Sequence, residues 1–279
     1  MILAGIFWFV SRRNASNLAL AALQEFDQAK TYHVKAEFIA SLPVRSANRA
    51  RAFTRFTANV EGDAVENEAG TPEITGKLHG ELSGSGARFF ADGDIRIGDN
   101  VTAFFLQELP VIFDPNRRLV KKWTHVDGQI LTTKNGSTIR EELYQVAKTA
   151  TPIGREEIDG VSTRRVRLTV SPEQEQALAV ALQHKASGNH AWNIIARLFQ
   201  AFDVRFLDLW IDPDNKELRL VAAVFGANNQ QGKFVRRAVI DLRFSDYGKD
   251  VTFEIPEKQL TVQPEVFRRL FNTGEITPQ

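Results

Sequence analysis

The sequence predicts an α+β domain built on a single antiparallel sheet. Segments in which apolar and polar residues alternate recur along the whole chain, and a period of two marks strands with one buried face. Parallel strands, buried on both faces, read instead as continuous apolar runs. No strand–helix–strand rhythm of roughly 30 residues occurs, and helix signals are confined to a few places. About eight to eleven strands and a few helices are expected, with no internal repeat and no low-complexity linker.

The elements follow in order. Leu18, Ala22, Phe26 and Ala29 recur at steps of three and four, which makes an amphipathic helix with Ser16 as its polar cap. The period then changes to two: Val34, Ala36, Phe38, Ala40 and Leu42 alternate with His33, Lys35, Glu37, Ile39 and Ser41, and Pro43 ends the strand. Arg51–Thr57 is a second strand, followed by an acidic, turn-rich stretch around Gly62 and Gly70-Thr71-Pro72. Ile74, Leu78 and Leu82 mark a third, and Phe89, Ala91, Ile95 and Ile97 a fourth, facing away from Arg88, Asp92, Asp94 and Arg96.

Thr138-Ile139-Arg140-Glu141 fits a capping box ahead of the stripe Ile139, Leu143, Val146 and Ala147. Val166, Leu168 and Val170 form a strand. Ser171-Pro172-Glu173-Gln174 then supplies an N-cap serine, proline at the first helical position and glutamine at the third. This helical stretch runs to Phe202, broken near Ser187-Gly188-Asn189. Phe202–Ile211, Glu217–Phe225, Phe234–Phe244 and Val251–Ile255 complete the strands, with turns at Asp212-Pro213-Asp214-Asn215, around Asn228–Gly232 and at Asp246-Tyr247-Gly248.

Met1–Val10 is apolar without interruption and ends at Ser11-Arg12-Arg13. Ten helical residues reach about 15 Å, half of a bilayer core of roughly 30 Å, so the segment is too short to span. It lacks a charged leading region and a small-residue cleavage site. Trp8 and the two arginines suit an interface, so residues 1–13 are expected to be part of a membrane anchor and 14–279 a single domain. The alternative is a strand or helix packed into the core. Positive charge after the segment slightly favours a cytoplasmic position for the remainder.

The 279 residues include no Cys, which excludes disulfides, thiolate metal sites and a cysteine nucleophile. A formal net charge of +1 gives no overall attraction to nucleic acid. The five His are scattered, and no two have the i, i+4 spacing of a helical metal site. No nucleophile elbow, phosphate-binding loop or dinucleotide fingerprint occurs. Asp212-x-Asp214 has Lys216 where a calcium loop needs a ligand, and reads as a turn. Asp92 and Asp94 share a strand face with nothing converging on them in sequence. Arg49, Arg51 and Arg55 share a parity and either line an edge near anionic headgroups or form a solvated face. No enzyme activity, metal or cofactor is expected.

Three segments carry a resemblance. Gly154-Arg155-Glu156-Glu157-Ile158-Asp159-Gly160, followed by the strand Thr163–Val170, resembles the "G-x-E-x-hydrophobic-D-G" segment of the LolA-like lipoprotein-carrier superfamily, closest to its LppX/LprAFG branch. Leu209-Trp210-Ile211-Asp212-Pro213-Asp214 is similar to that family's Trp-hydrophobic-Asp hairpin. Phe244-Ser245-Asp246-Tyr247-Gly248-Lys249-Asp250-Val251, ending at Pro256, looks like its "F-S-D-Y-G-x-x-V" turn.

The resemblance implies a strongly curved antiparallel half-barrel whose concave face, partly covered by helices, holds acyl chains. It also implies an extracytoplasmic domain of the cell envelope, which outweighs the charge asymmetry. Members of the lipoprotein branch carry a lipidated Cys that this chain lacks, so attachment falls to the N-terminal segment. The 20 Phe against 3 Tyr fit a dry space, because Phe needs no buried hydrogen-bond partner. Ordinary core packing accounts for most of them. Phe38, Phe53, Phe89, Phe104, Phe199, Phe202, Phe206 and Trp210 are the expected ligand-lining residues. The function expected is non-catalytic binding of lipid or another hydrophobic ligand. The alternative is a structural or protein-interaction domain with a filled cavity.

Overall fold

A computed structural model describes residues 2–41, 55–66, 72–84, 87–98, 101–109, 117–127, 139–185, 203–228 and 234–262. Helix α1 (Ile2–Gln28) leads into β1 (Thr31–Ser41), β2 (Arg55–Glu66), β3 (Pro72–Gly84), β4 (Ala87–Ile97), β5 (Val101–Glu108) and β6 (Trp123–Asp127). Helix α2 (Ile139–Ala147), the hairpin β7 (Thr151–Ile158) and β8 (Val161–Leu168), and helix α3 (Pro172–Lys185) follow. The chain then forms β9 (Asp203–Ile211), β10 (Leu218–Asn228), β11 (Phe234–Ser245) and β12 (Leu260–Val262).

All twelve strands belong to one sheet, in the order β12-β6-β5-β4-β3-β2-β1-β11-β10-β9-β8-β7. The sheet is curled and unclosed, and antiparallel except where β12 joins β6 at one edge. The seam is β1 against β11, which brings the first strand beside the penultimate one and joins two meanders.

Directly paired residues point to the same side, so the registers sort the sheet into two faces. The core lies on one of them. Val166 and Leu168 of β8, Leu207, Leu209 and Ile211 of β9, Ala223 and Phe225 of β10 and Ile240 and Phe244 of β11 are buried there with Ala15, Ala19, Ala22 and Leu23 of α1, Val146 and Ala147 of α2 and Leu178 of α3. The spacing of Ala15, Ala19 and Ala22 puts small residues on one helical stripe, which lets α1 lie close to the strands. Each large aliphatic or aromatic side chain sealed here contributes about 1.5–3 kcal/mol by leaving water. Ser16 Oγ donates to the Lys148 carbonyl at 2.9 Å, and the Tyr144 hydroxyl donates to Asp27, which ties α2 to α1.

Several sequence expectations needed correction. Ser16 is no helix cap, because α1 runs unbroken from Ile2 through the Arg12-Arg13 flank. The stretch around Gly62 is not a turn but the second half of β2. Gly62 pairs with Gly76, and a Cβ at Gly62 would lie 2.1 Å from the Thr75 carbonyl oxygen, so glycine marks a close backbone approach. Strands β5 and β6 were not anticipated; His125 lies buried in β6, where its Nε2 meets the Pro256 carbonyl at 3.0 Å.

Val251–Ile255 makes no ladder. Its alternation serves side-chain packing instead, with Phe253 and Ile255 covering Gly98, and the last strand forms further on at β12. Other signals hold. Ser171 and Gln174 form a reciprocal capping box: Gln174 N donates to Ser171 Oγ at 3.3 Å and Ser171 N to Gln174 Oε1 at 3.0 Å. Asp212 Oδ1 accepts from Asp214 N at 2.9 Å, which closes the β9–β10 turn. The Thr138 cap, the break at Ser187-Gly188-Asn189, and Arg49 and Arg51 lie outside the described residues.

Candidate ligand-binding face

The core face continues past β1 onto β2, β3, β4 and β5, and its character changes there. Four rows cross these strands: Ala40, Phe56, Leu82 and Phe89; Phe38, Ala58, Gly80 and Ala91; Ala36, Val60, Leu78, Gly93 and Leu106; Val34, Gly62, Gly76, Ile95 and Phe104. No charged or hydrogen-bonding side chain occurs in any of them. The opposite face of the same strands carries Lys35, Glu37, Glu61, Lys77, His79, Asp92 and Asp94, with His33 Nδ1 2.8 Å from Asp63 and His79 Nδ1 2.5 Å from Asp92.

Every side chain of the first two rows is half-buried, as are Val60 and Leu78. Among the described residues, the cluster formed with the helices takes in only Ile74 from β2 to β5. The Phe38 row is floored by Ala58, Gly80 and Ala91, between taller rows bearing Phe56, Leu82 and Phe89 on one side and Val60 and Leu78 on the other. Among the described residues this makes a shallow apolar groove running across the strands for three strand spacings, about 14 Å. Phe38 and Phe56 close one end, their ring centroids 5.9 Å apart.

The eight expected lining residues separate. Phe38, Phe89 and Phe104 share the apolar face, Phe38 and Phe89 at the groove. Phe104 is 2% exposed and packs with Leu106 and Leu109 beyond it. Phe206 and Trp210 lie on the opposite face, since Phe206 pairs with Val224 and Trp210 with Leu220, while Leu207, Leu209 and Ile211, alternating with them, point to the helices. Phe53, Phe199 and Phe202 lie outside the described residues. The groove residues not anticipated are the small ones, Ala58, Gly80 and Ala91; their common parity with Phe56, Leu78 and Leu82 was the available signal.

Phe206 and Trp210 belong to an ionic cluster. Asp208, fully buried between them, accepts from Arg165 Nη2 and Arg167 Nε at 2.7 Å each. Arg165 lies 4.6 Å over the Trp210 ring and Arg167 4.3 Å over the Phe206 ring, both cation–π distances. Glu156 accepts from Trp210 Nε1 and from Arg165 Nη1 at 2.8 Å each, and these bonds hold its carboxyl below the usual range. The donors and acceptors are matched to one another, so the cluster stiffens the β7–β9 face and leaves the two aromatic rings covered.

A cavity of about 410 Å³ lies elsewhere, between Asn14, Ala15 and Leu18 of α1 and the β7–β8 hairpin, where Pro152–Arg155 and Arg164–Val166 line it. None of the eight expected residues contributes. Among the described residues, no three His, Asp or Glu side chains are placed to hold a metal ion, and no helix is long and apolar enough to cross a membrane.

No protein-family model matches the chain, and no curated protein matches it significantly. Among solved structures it is similar to LprF from Mycobacterium bovis, at 14% identity and a TM-score of 0.47, over 87% of this chain and 97% of that one. It is similar to the lipoprotein LppX of Mycobacterium tuberculosis at 14% identity and a TM-score of 0.43, over 86% and 98%. A third, a putative outer membrane lipoprotein-sorting protein domain from Vibrio parahaemolyticus, has 11% identity and a TM-score of 0.23, over 85% and 95%.

Proposed function

We propose that this chain is a non-catalytic binding module of the cell envelope that holds a lipid or other hydrophobic ligand on the concave side of a half-barrel. The observation that carries the reading is the run of four rows across β1 to β5 without a polar side chain, half-buried along the groove, in a sheet whose other half is sealed by helices. An apolar surface of this extent on one face stabilises a bound hydrocarbon by the area it removes from water, at about 25 cal/mol per Å². The absence of inward polar groups favours an alkyl chain over a ligand that needs hydrogen bonds, because a polar group buried there would be left unpaired.

In this reading Phe38, Phe56, Leu82 and Phe89 flank the chain, Ala58, Gly80 and Ala91 form its floor, and the three helices close the half-barrel over β8 to β11. The N-terminal segment of α1 attaches the module to the membrane, with the domain on the extracytoplasmic side. The test is mass spectrometry of lipid extracted from natively purified protein, together with displacement of a fluorescent fatty-acyl probe. Copurified lipid and saturable displacement are expected. Neither being found would overturn the carrier reading in favour of a structural domain whose groove is filled.

A further inference from the structure

The 410 Å³ cavity beside α1 has a feature that the apolar groove lacks: two guanidinium groups without partners. Arg155 of β7 and Arg164 of β8 sit directly opposite each other in the register, on the face toward α1. Like charges so placed destabilise a strand pair. Among the described residues, neither makes an ion pair or a side-chain hydrogen bond, and Glu157, two positions along β7, forms no ion pair with either. The neighbouring arginines Arg165 and Arg167 face the other way and are committed to Asp208 and Glu156.

The surroundings favour an amphiphilic anion. Ile153, the extra residue of a bulge in β7, is 46% exposed at the cavity wall, and Pro152, Leu18 and Val166 add apolar surface. Asn14 brings an amide to the same wall. The volume lies within the range of ligand sites, about 300–1,000 Å³. Paired guanidinium forks match phosphate oxygens in geometry and charge. Asn14 directly follows Arg12-Arg13 in α1, next in sequence to the apolar Met1–Val10.

We propose that Arg155 and Arg164 form a site for the phosphate of an anionic phospholipid in the membrane surface, orienting the β7–β8 edge toward the bilayer. Placing the anion here rests on the reading that Met1–Val10 meets a membrane, and the anion relieves the repulsion that the empty pair carries.

The experiment is co-flotation of the full chain with phosphatidylcholine vesicles, with and without one-third phosphatidylglycerol, for the wild type, R155Q/R164Q and K121Q/K122Q. Binding to pure phosphatidylcholine reports the N-terminal segment alone, and the preference for phosphatidylglycerol reports the site. Loss of the first therefore breaks the anchor reading without touching the second. R155Q/R164Q is expected to bind phosphatidylglycerol vesicles about 30-fold more weakly, two charges' worth near an anionic surface. Its binding to phosphatidylcholine and its melting temperature should not fall. K121Q/K122Q, an exposed basic pair outside the cavity, is expected to keep the preference. An unchanged preference in R155Q/R164Q, or an equal loss in K121Q/K122Q, overturns the site. Displacement of the wild type by millimolar inorganic phosphate, at constant ionic strength, overturns it in favour of a free anion.

Discussion

The two halves of the sheet use the same alternating pattern for different ends. In β8 to β11 the inward side chains meet α1, α2 and α3, and Val166, Leu168, Leu209, Ile211 and Phe225 are all at most 2% exposed. Along the groove rows of β2 to β4 the inward side chains are just as apolar, yet alanine and glycine are frequent among them and the others are half-buried. Hydrophobicity alone therefore does not distinguish structural core from ligand surface. What distinguishes the sealed face from the proposed ligand face, among the described residues, is whether a helix packs on it, and whether glycine and alanine leave room on it.

The outer faces differ in the same sense. Over β8 and β9 a buried carboxylate is enclosed by two arginines and two aromatic rings, whereas β1 to β4 carry exposed pairs such as Lys35–Glu61 at 3.2 Å. Exposed pairs contribute about 0–1 kcal/mol. Rigidity is thus concentrated in the helix-bearing half on both faces.

Substitutions can break this contrast, beginning with the largest effect. Phe225→Ala, in the sealed half, should cost about 3–5 kcal/mol in a denaturant melt, since a fully buried ring leaves a cavity. A loss below 1 kcal/mol would mean that the helices do not seal that half. Asp208→Ala strands Arg165 and Arg167 around an empty site and should cost about 3 kcal/mol. The K35A variant in the other half should be close to neutral, and equal costs would erase the contrast between the outer faces.

The joint between α1 and the β1–β11 seam has a pH signature. Burial, with Glu66 adding to it, pushes the Tyr32 hydroxyl from 10.0 up to about 12, and burial raises Tyr247 as well. A tyrosine with a raised folded pKa holds its proton longer in the native state, so its contribution is complete below pH 10 and is lost as the pH climbs from 10 toward 12. For Tyr32 this is about 3 kcal/mol. Tyr32→Phe should flatten the alkaline fall in melting temperature, and an identical profile in the variant would show that the joint opens before Tyr32 titrates.

The smallest change in stability belongs to the groove. Leu78→Ala should lower stability by about 1 kcal/mol because the side chain is only half-buried. The same substitution should weaken binding of the acyl probe about tenfold if the chain lies against that wall. A variant that loses stability like a sealed-core residue, with probe binding intact, would reassign the groove to the core.

Much of the strand pattern was legible because a period of two is a local property. In β1, Val34, Ala36, Phe38 and Ala40 all point inward as their alternation implies. Strand β9 shows the limit. In Phe206-Leu207-Asp208-Leu209-Trp210-Ile211 both parities are bulky, and the aromatic excess taken with the resemblance suggested Phe206 and Trp210 for the ligand side. The residue that breaks the tie is Asp208, which shares their parity and needs the two arginines of β8 that only the register supplies. Gly62 misled for a related reason, since glycine favours a turn locally but serves equally where two backbones approach. The edge cavity left no sequence signal, because Arg155 and Arg164 become neighbours only through the hairpin register.

By itself, then, the sequence determined the antiparallel one-sided strands, the capping of α3, the turn at Asp212–Asn215, and the lack of thiol chemistry. Each of these depends on residues within a few positions of one another or on composition. Only the tertiary structure decided which face the helices take and, among the described residues, which apolar residues line a groove and which arginines make no ion pair. Those outcomes depend on pairing between segments far apart in the chain, and an alternating strand is equally compatible with either side until a neighbour covers one.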